Sequence, residues 1–286
     1  MAARAVLLDF DGPVTDLFGD ESTAPVAHEI KDVVRGIWGG LGRDVEECDD
    51  SHGILRLLGN MSDRPAAHPR DPRAPAEAEA IVTRYEYAAV KAAEPTRGVV
   101  RLVDALAGLG LRLVIVSNNS AGLVREFLEN NGLRSRFEAV VGRDPQELRH
   151  MKPDPYSVHR ALEILRLPAA EALLIGDQLT DLQTARAAGT AFLGHTPSAE
   201  RARQMRSRGA DAVVHTHAPV IEAARSLAAA GVNQPPDNWA PGSTGRLRRA
   251  VGVRVRPSGH HPPAPTARTG GTCGISHCGR QRPEPA

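Results

Sequence analysis

A chain of 286 residues, 41% hydrophobic and 24% charged, can build one sizeable core plus an insertion, and no apolar run approaches the roughly 18 residues that a membrane helix needs. Three scattered cysteines, Cys48, Cys273 and Cys278, argue against a disulfide framework, and the apolar stretch after Met1 is too short for a secretory leader, so a cytoplasmic protein without membrane partners is expected. The net charge of +1 hides an asymmetry: residues 231–286 hold eight Arg against Asp237 and Glu284, a local +6 that leaves the rest at −5, and so mildly acidic a body gives no sign of nucleic-acid binding.

The first element is Ala5-Val6-Leu7-Leu8, an apolar run that stops at Asp9-Phe10-Asp11-Gly12. Such a run reads as a buried parallel strand whose C-terminal end opens into a loop, the place where open α/β sheets put their active sites. Residues 17–95 then change character. Pro25 to Trp38, Val45 to Leu58 and Ala76 to Ala93 carry apolar residues at three- and four-residue spacing without a convincing strand, which predicts a helical insertion. The proline-rich stretch from Asn60 to Pro75 reads as an exposed loop inside it. Trp38, Tyr85 and Tyr87 fall within the helical pattern and are expected to pack the insertion, whereas Arg35, Arg43 and His52 are candidates to face a ligand.

From Val99 the chain alternates helix and strand. The strand Leu111 to Val116 ends at Ser117-Asn118-Asn119, a helix follows from Ser120, and Phe137 to Val141 is a further strand. A loop carrying Lys152-Pro153 leads to a helix predicted to be capped by Asp154 and to begin at Pro155. Ala172 to Ile175 is another buried strand, ending at Gly176-Asp177 with Asp181 four residues on, and weaker strands are expected over Thr190 to Leu193 and Ala210 to Val214. This order implies a doubly wound, Rossmann-like parallel sheet with right-handed crossovers. Three strands then end in chemistry along one sheet edge, at Asp9 with Asp11, at Ser117 and at Asp177. Lysine occurs only at Lys31, Lys91 and Lys152, every other basic position being Arg, so those sites are candidates for a role that needs an ammonium.

Taken together, Asp9-Phe10-Asp11-Gly12, Ser117-Asn118, Lys152-Pro153 and Gly176-Asp177 through Asp181 resemble, in order, the four motifs of the haloacid dehalogenase superfamily, in its phosphatase branch with a helical cap, akin to phosphoglycolate phosphatases. The resemblance spans about residues 5–215. It implies a magnesium-dependent hydrolysis of a small phosphorylated metabolite in which Asp9 is the nucleophile and forms an aspartyl phosphate, while Asp11 serves as acid and base. Ser117, Asn118 and Lys152 would hold the phosphoryl group, Asp9, Asp177 and the Asp11 carbonyl would bind Mg2+, and Gly12 and Asp181 would support them. Pro13 and Gln178 depart from the usual pattern without removing a reacting group. A phosphomutase, a dehalogenase or a catalytically silent binding module on the same fold are the alternatives; Asp11 argues against the dehalogenase, and the presence of all four reacting groups against the silent module.

The expected organisation is a catalytic core of residues 1–16 and 96–230, an all-helical cap of 17–95 and a disordered tail of 231–286, where nine Pro and nine Gly leave little to bury. Cys273, His277 and Cys278 lack the spacing and fourth ligand of a zinc knuckle.

Overall fold

In the computed structural model, which describes residues 3–19, 22–66 and 68–230, the first apolar run forms β1 (Ala5–Leu8), buried along its whole length. The other strands are β2 (Arg112–Ser120), β3 (Ala139–Arg143), β4 (Ala172–Gly176), β5 (Ala191–His195) and β6 (Ala212–Val214). All pair in parallel in the order β3-β2-β1-β4-β5-β6, with β1 between β2 and β4. The C-terminal ends of β1, β2 and β4 are therefore neighbours, and the chain changes winding direction beside β1, which opens a crevice at that edge.

Between β1 and β2 lie four helices, α1 (Ala24–Trp38), α2 (Arg43–Glu46), α3 (Ser51–Ser62) and α4 (Arg73–Ala89). They bury Ile30, Val34, Ile54, Leu58 and Val82 in a core of their own, which Leu148 and Met151 enter from beyond β3. The apolar periodicity of Val45 to Leu58 predicts one helix, whereas the structure has two. The break falls at Asp50, whose side chain accepts a 2.5 Å hydrogen bond from the Gly53 amide and caps α3; a carboxylate that bonds its own backbone competes with a continuous helix. Trp38 donates to the Asp71 carbonyl at 2.9 Å and Tyr85 to Glu29 at 3.0 Å, while the Tyr87 hydroxyl sits where a Cβ on Gly122 would come within 2.5 Å.

The remaining helices are α5 (Val99–Gly108), α6 (Ala121–Asn130), α7 (Tyr156–Leu165), α8 (Leu179–Ala188), α9 (Ala199–Ser207) and α10 (Ala218–Ala229). Alternate residues of the central strand face opposite ways: Val6 and Leu8 pack with α5, α6 and α10, Ala5 and Leu7 with α7 and α8. Both faces are covered, as an all-parallel sheet requires. Pro155, not Asp154, is the residue before α7, and Asp154 instead accepts from the Tyr156 amide at 2.9 Å. No helix among the described residues is long and apolar enough to cross a membrane. Residues 231–286, with the expected tail disorder, Cys273, His277 and Cys278, lie outside the described residues.

Candidate active site

Asp9 follows the last residue of β1, held by its amide bond to the Ile175 carbonyl at 2.8 Å, and is 6% exposed. One carboxylate oxygen accepts from the Phe10 amide at 2.7 Å and lies 2.8 Å from the Lys152 ammonium. Burial, then the nearby Asp181, raises its carboxyl to about 7 against the pull of Lys152. Asp11 is held by the Leu17 amide at 2.8 Å, and burial raises its carboxyl too. Gly12, at φ 95°, is where the chain must turn next to β4: a Cβ there would stand 2.5 Å from Asp177 Cγ, so only glycine lets the two loops meet.

The second carboxylate pair comes from the end of β4. Asp181 closes the first turn of α8 through a capping box, one oxygen taking the Gln178 amide at 2.9 Å and the other the Lys152 ammonium at 2.5 Å. Asp177 receives the Gln178 side-chain amide on one oxygen at 2.5 Å, but its Oδ1 is buried without a partner. Burial, followed by repulsion from Asp181 and Asp9, raises the Asp177 carboxyl well above its usual range. Oxygens of Asp9, Asp177 and Asp181 lie within 4.8 Å of one another. Lys152 is itself buried, 3% exposed; desolvation opposes its charge, yet Asp181 and Asp9 outweigh that and hold it an ammonium. One ammonium facing three carboxylates leaves a charge deficit that a divalent cation with oxygen ligands fits, and the orphaned Asp177 Oδ1 is an oxygen with nothing else to bind.

β2 supplies the third side. The ladder to β3 shifts register between Val116 and Ser120, an irregularity that frees Ser117, Asn118 and Asn119 from regular pairing while they remain part of the strand rather than of a loop after it. Asn118 grips the Lys152 backbone from both sides, accepting its amide at 2.7 Å and donating to its carbonyl at 3.3 Å. Ser117 is 2% exposed, its hydroxyl donating to Asn119 at 2.9 Å.

A cavity of about 490 Å³ opens over Asp9, Asp11, Asn118, Lys152 and Asp177, with Ser117 and Asp181 behind its lining, and is walled on the far side by α3, through Ser51, His52 and Arg56. Of the three insertion candidates only His52 reaches it; Arg35 pairs with Glu46 at 2.6 Å and Arg43 with Glu47 at 2.6 Å, both at the surface. Behind His52 stands a polar cluster that sequence reasoning missed. His52 meets Glu86 at 2.8 Å, Glu86 is fully buried against Arg143 at 2.9 Å, and Asn119 donates to the same carboxylate at 3.0 Å. Arg143 also reaches Glu79 at 2.8 Å and the Asn118 carbonyl at 2.7 Å. Desolvation opposes the Glu86 charge, but His52 and Arg143 overcome it and bring its carboxyl down to about 2. Helices α3 and α4 are thereby tied to the ends of β2 and β3.

The family model for haloacid dehalogenase-like hydrolases matches residues 3–189. The chain is 29% identical over 223 residues to a phosphoglycolate phosphatase of Thiobacillus denitrificans, covering 74% of this chain and 91% of that protein. A phosphoglycolate phosphatase of Rhodobacter capsulatus is 30% identical over 196 residues, 68% of this chain and 84% of its own length. Among solved structures, the crystal structure of a predicted phosphatase from Clostridium acetobutylicum superposes with a TM-score of 0.56 at 19% identity, over 78% of this chain and 98% of that one, a likeness of fold. With four motifs brought to one sheet edge and a family match over most of its length, the chain belongs to the haloacid dehalogenase-like hydrolases, and its similarity lies with their phosphatases.

Proposed function

We propose that this hydrolase is a magnesium-dependent phosphatase that releases phosphate from a small phosphorylated metabolite through an aspartyl phosphate on Asp9. The observation that carries the reading is the gathering of Asp9, Asp177 and Asp181 around the single Lys152 ammonium, with Asp177 Oδ1 unpartnered. The Asp9 carboxylate attacks phosphorus, the bond from phosphorus to the ester oxygen breaks, and Asp11 passes a proton to that oxygen as it leaves. Burial raises Asp11, the direction a proton donor near neutral pH needs. Asp11 then takes a proton from the water that cleaves the aspartyl phosphate. Lys152, with Ser117 and Asn118 beside it, orients the phosphoryl oxygens. Asp9, Asp177 and the Asp11 carbonyl would hold Mg2+, which when bound offsets negative charge on the transferring group. Asp181, both of whose oxygens are already engaged, positions Lys152 and the Asp177 loop.

In this reading residues 1–16 and 96–230 are the catalytic core, residues 17–95 are the cap, and the enzyme works in the cytoplasm. The cavity favours a compact substrate, and Arg56 in its cap wall has no ion pair with a described residue, which suits a substrate bearing a second anionic group. Phosphoglycolate, the substrate named for the two relatives above, is of that kind. A phosphate-release screen over 2-phosphoglycolate, sugar phosphates and nucleotides, run with Mg2+ on the wild type and on Asp9→Asn, tests the proposal. Release from a small phosphorylated acid by the wild type, with loss of roughly 10⁴-fold or more in Asp9→Asn, is expected. Release by the variant at the wild-type rate, or none from any substrate by the wild type, overturns it.

A further inference from the structure

A second cavity, larger than the one over the catalytic carboxylates, lies beside it. It measures about 730 Å³ and lies on the other side of Gly12 and Asp177, between the start of α5 and the loops that follow β5 and β6. Arg97, Arg101, Arg201 and Arg225 line it, and none of them makes an ion pair with a described residue, although Asp16, Asp177 and Glu222 also border the space. Arg201 reaches the Gln178 side chain; the others are held by no side-chain hydrogen bond to a described residue. The four guanidinium groups come from three separate segments and outnumber the three carboxylates on the same wall, a balance that suits an anionic occupant.

Two further features point the same way. The N-terminal residues of α5, α9 and α10 border the cavity through Gly98, Ser198 and Ala218, so three helices of nine residues or more present their positive ends there. His195, the last residue of β5, lines the same cavity, is only 6% exposed, and has a buried Nδ1 without any hydrogen-bond partner. Its ring stacks on His217 at 4.1 Å, and His217 is fixed by donating from Nε2 to the Pro13 carbonyl at 2.8 Å. Burial, then His217, pushes His195 down to about 3, so the ring is neutral and its free nitrogen wants a polar partner.

We propose that this cavity is a second anion site, separate from the catalytic one, that binds a phosphorylated organic anion of nucleotide size. A cavity of this volume exceeds what inorganic phosphate fills and lies within the range of nucleotide-sized ligand sites. Because its wall includes Gly12, Asp177 and Gln178, an occupant touches the loop that carries the catalytic carboxylates, and occupancy should alter turnover. Its arginines and His195 take no part in the proposed phosphatase chemistry, although its wall shares Gly12, Asp16, Asp177 and Gln178 with the catalytic cavity.

Calorimetric titration of the full chain with ATP and with inorganic pyrophosphate, without added metal, tests it. Saturable ATP binding is expected in the wild type and in Asp9→Asn alike, weakened tenfold or more in the double variant Arg101→Gln and Arg225→Gln. Both arginines are exposed and outside the catalytic groups, so the double variant should keep the wild-type melting temperature and its basal rate within about twofold. Pyrophosphate binding tenfold weaker than ATP supports recognition of the organic part; pyrophosphate binding as tightly as ATP would confine the site to the phosphoryl chain and overturn that part of the proposal. Absence of saturable ATP binding, undiminished binding in the double variant, or loss of binding in Asp9→Asn overturns the site altogether.

Discussion

Asp177 shows how a single residue can reveal the demand of a site. Its loop is pressed so closely on Gly12 that no side chain fits there, and one of its oxygens is buried with nothing to receive. A buried carboxylate in that condition is costly, and natural proteins keep such a group where function uses it. Asp177→Ala should therefore lower phosphatase turnover by roughly 10²-fold or more without lowering the melting temperature, since the burial cost of the carboxyl and its repulsion from Asp181 and Asp9 are removed with it. Chelation of the wild type by EDTA should have the same effect, reversed by Mg2+; full activity in EDTA would contradict the metal reading.

At the scale of elements, α3 and α4 are bound to β2 and β3 by charge rather than by grease alone. Glu86 has no exposure and receives His52, Asn119 and Arg143, while Glu79 shares the same guanidinium. Removing one partner of a buried pair leaves the other uncompensated, so Glu86→Gln should cost about 3 kcal/mol in denaturant unfolding. The pH dependence has a definite sign. Glu86 is depressed from its ordinary 4.5 to about 2, so its stabilisation is present above about 4.5 and is lost as pH falls towards 2. The difference in stability between wild type and Glu86→Gln should shrink over that window; a difference independent of pH would show that Glu86 does not hold its charge in the folded state.

For the molecule as a whole, the insertion and the sheet domain share material. Leu148 and Met151 belong to the chain after β3, yet they are buried in the core formed by α1, α3 and α4. Gly59 on α3 is what permits the approach, since a Cβ there would stand 3.1 Å from Leu148. The two linkers are also stitched together, with Thr15 donating to the Glu94 carbonyl at 2.8 Å and Thr96 to the Gly12 carbonyl at 2.9 Å. The helical insertion is thus tied to the loop that holds Asp11 and Gly12. Leu148→Ala should destabilise the protein by about 3 kcal/mol, read by chemical denaturation, because the cavity opens at a junction fixed from both sides. A loss below about 1 kcal/mol would mean that the core of the helical insertion closes without it.

The strands were legible in the chain alone, because a short apolar run that meets Asp9, Ser117 or Asp177 is a local signal, and strict alternation with helices leaves a parallel sheet as the way to bury them; the end of β2 was not, since the strand runs on through Ser117 to Ser120. The break between α2 and α3 was hidden, because one capping carboxylate, Asp50, outweighed the apolar periodicity around it. Glu86 and Arg143 could not be read as partners: each looks like a solvated charge in its own segment, and only the fold brings residues 57 apart to 2.9 Å and removes water from both. The arginine-lined cavity is more distributed still, assembled from residues near 97, 195 and 217 that share no local pattern. Sequence alone determined where the candidate reacting groups sit along the chain, since backbone pattern and residue type are local; which charges are buried, paired or left facing a cavity was decided by tertiary structure, since burial and distance exist only once the chain has folded.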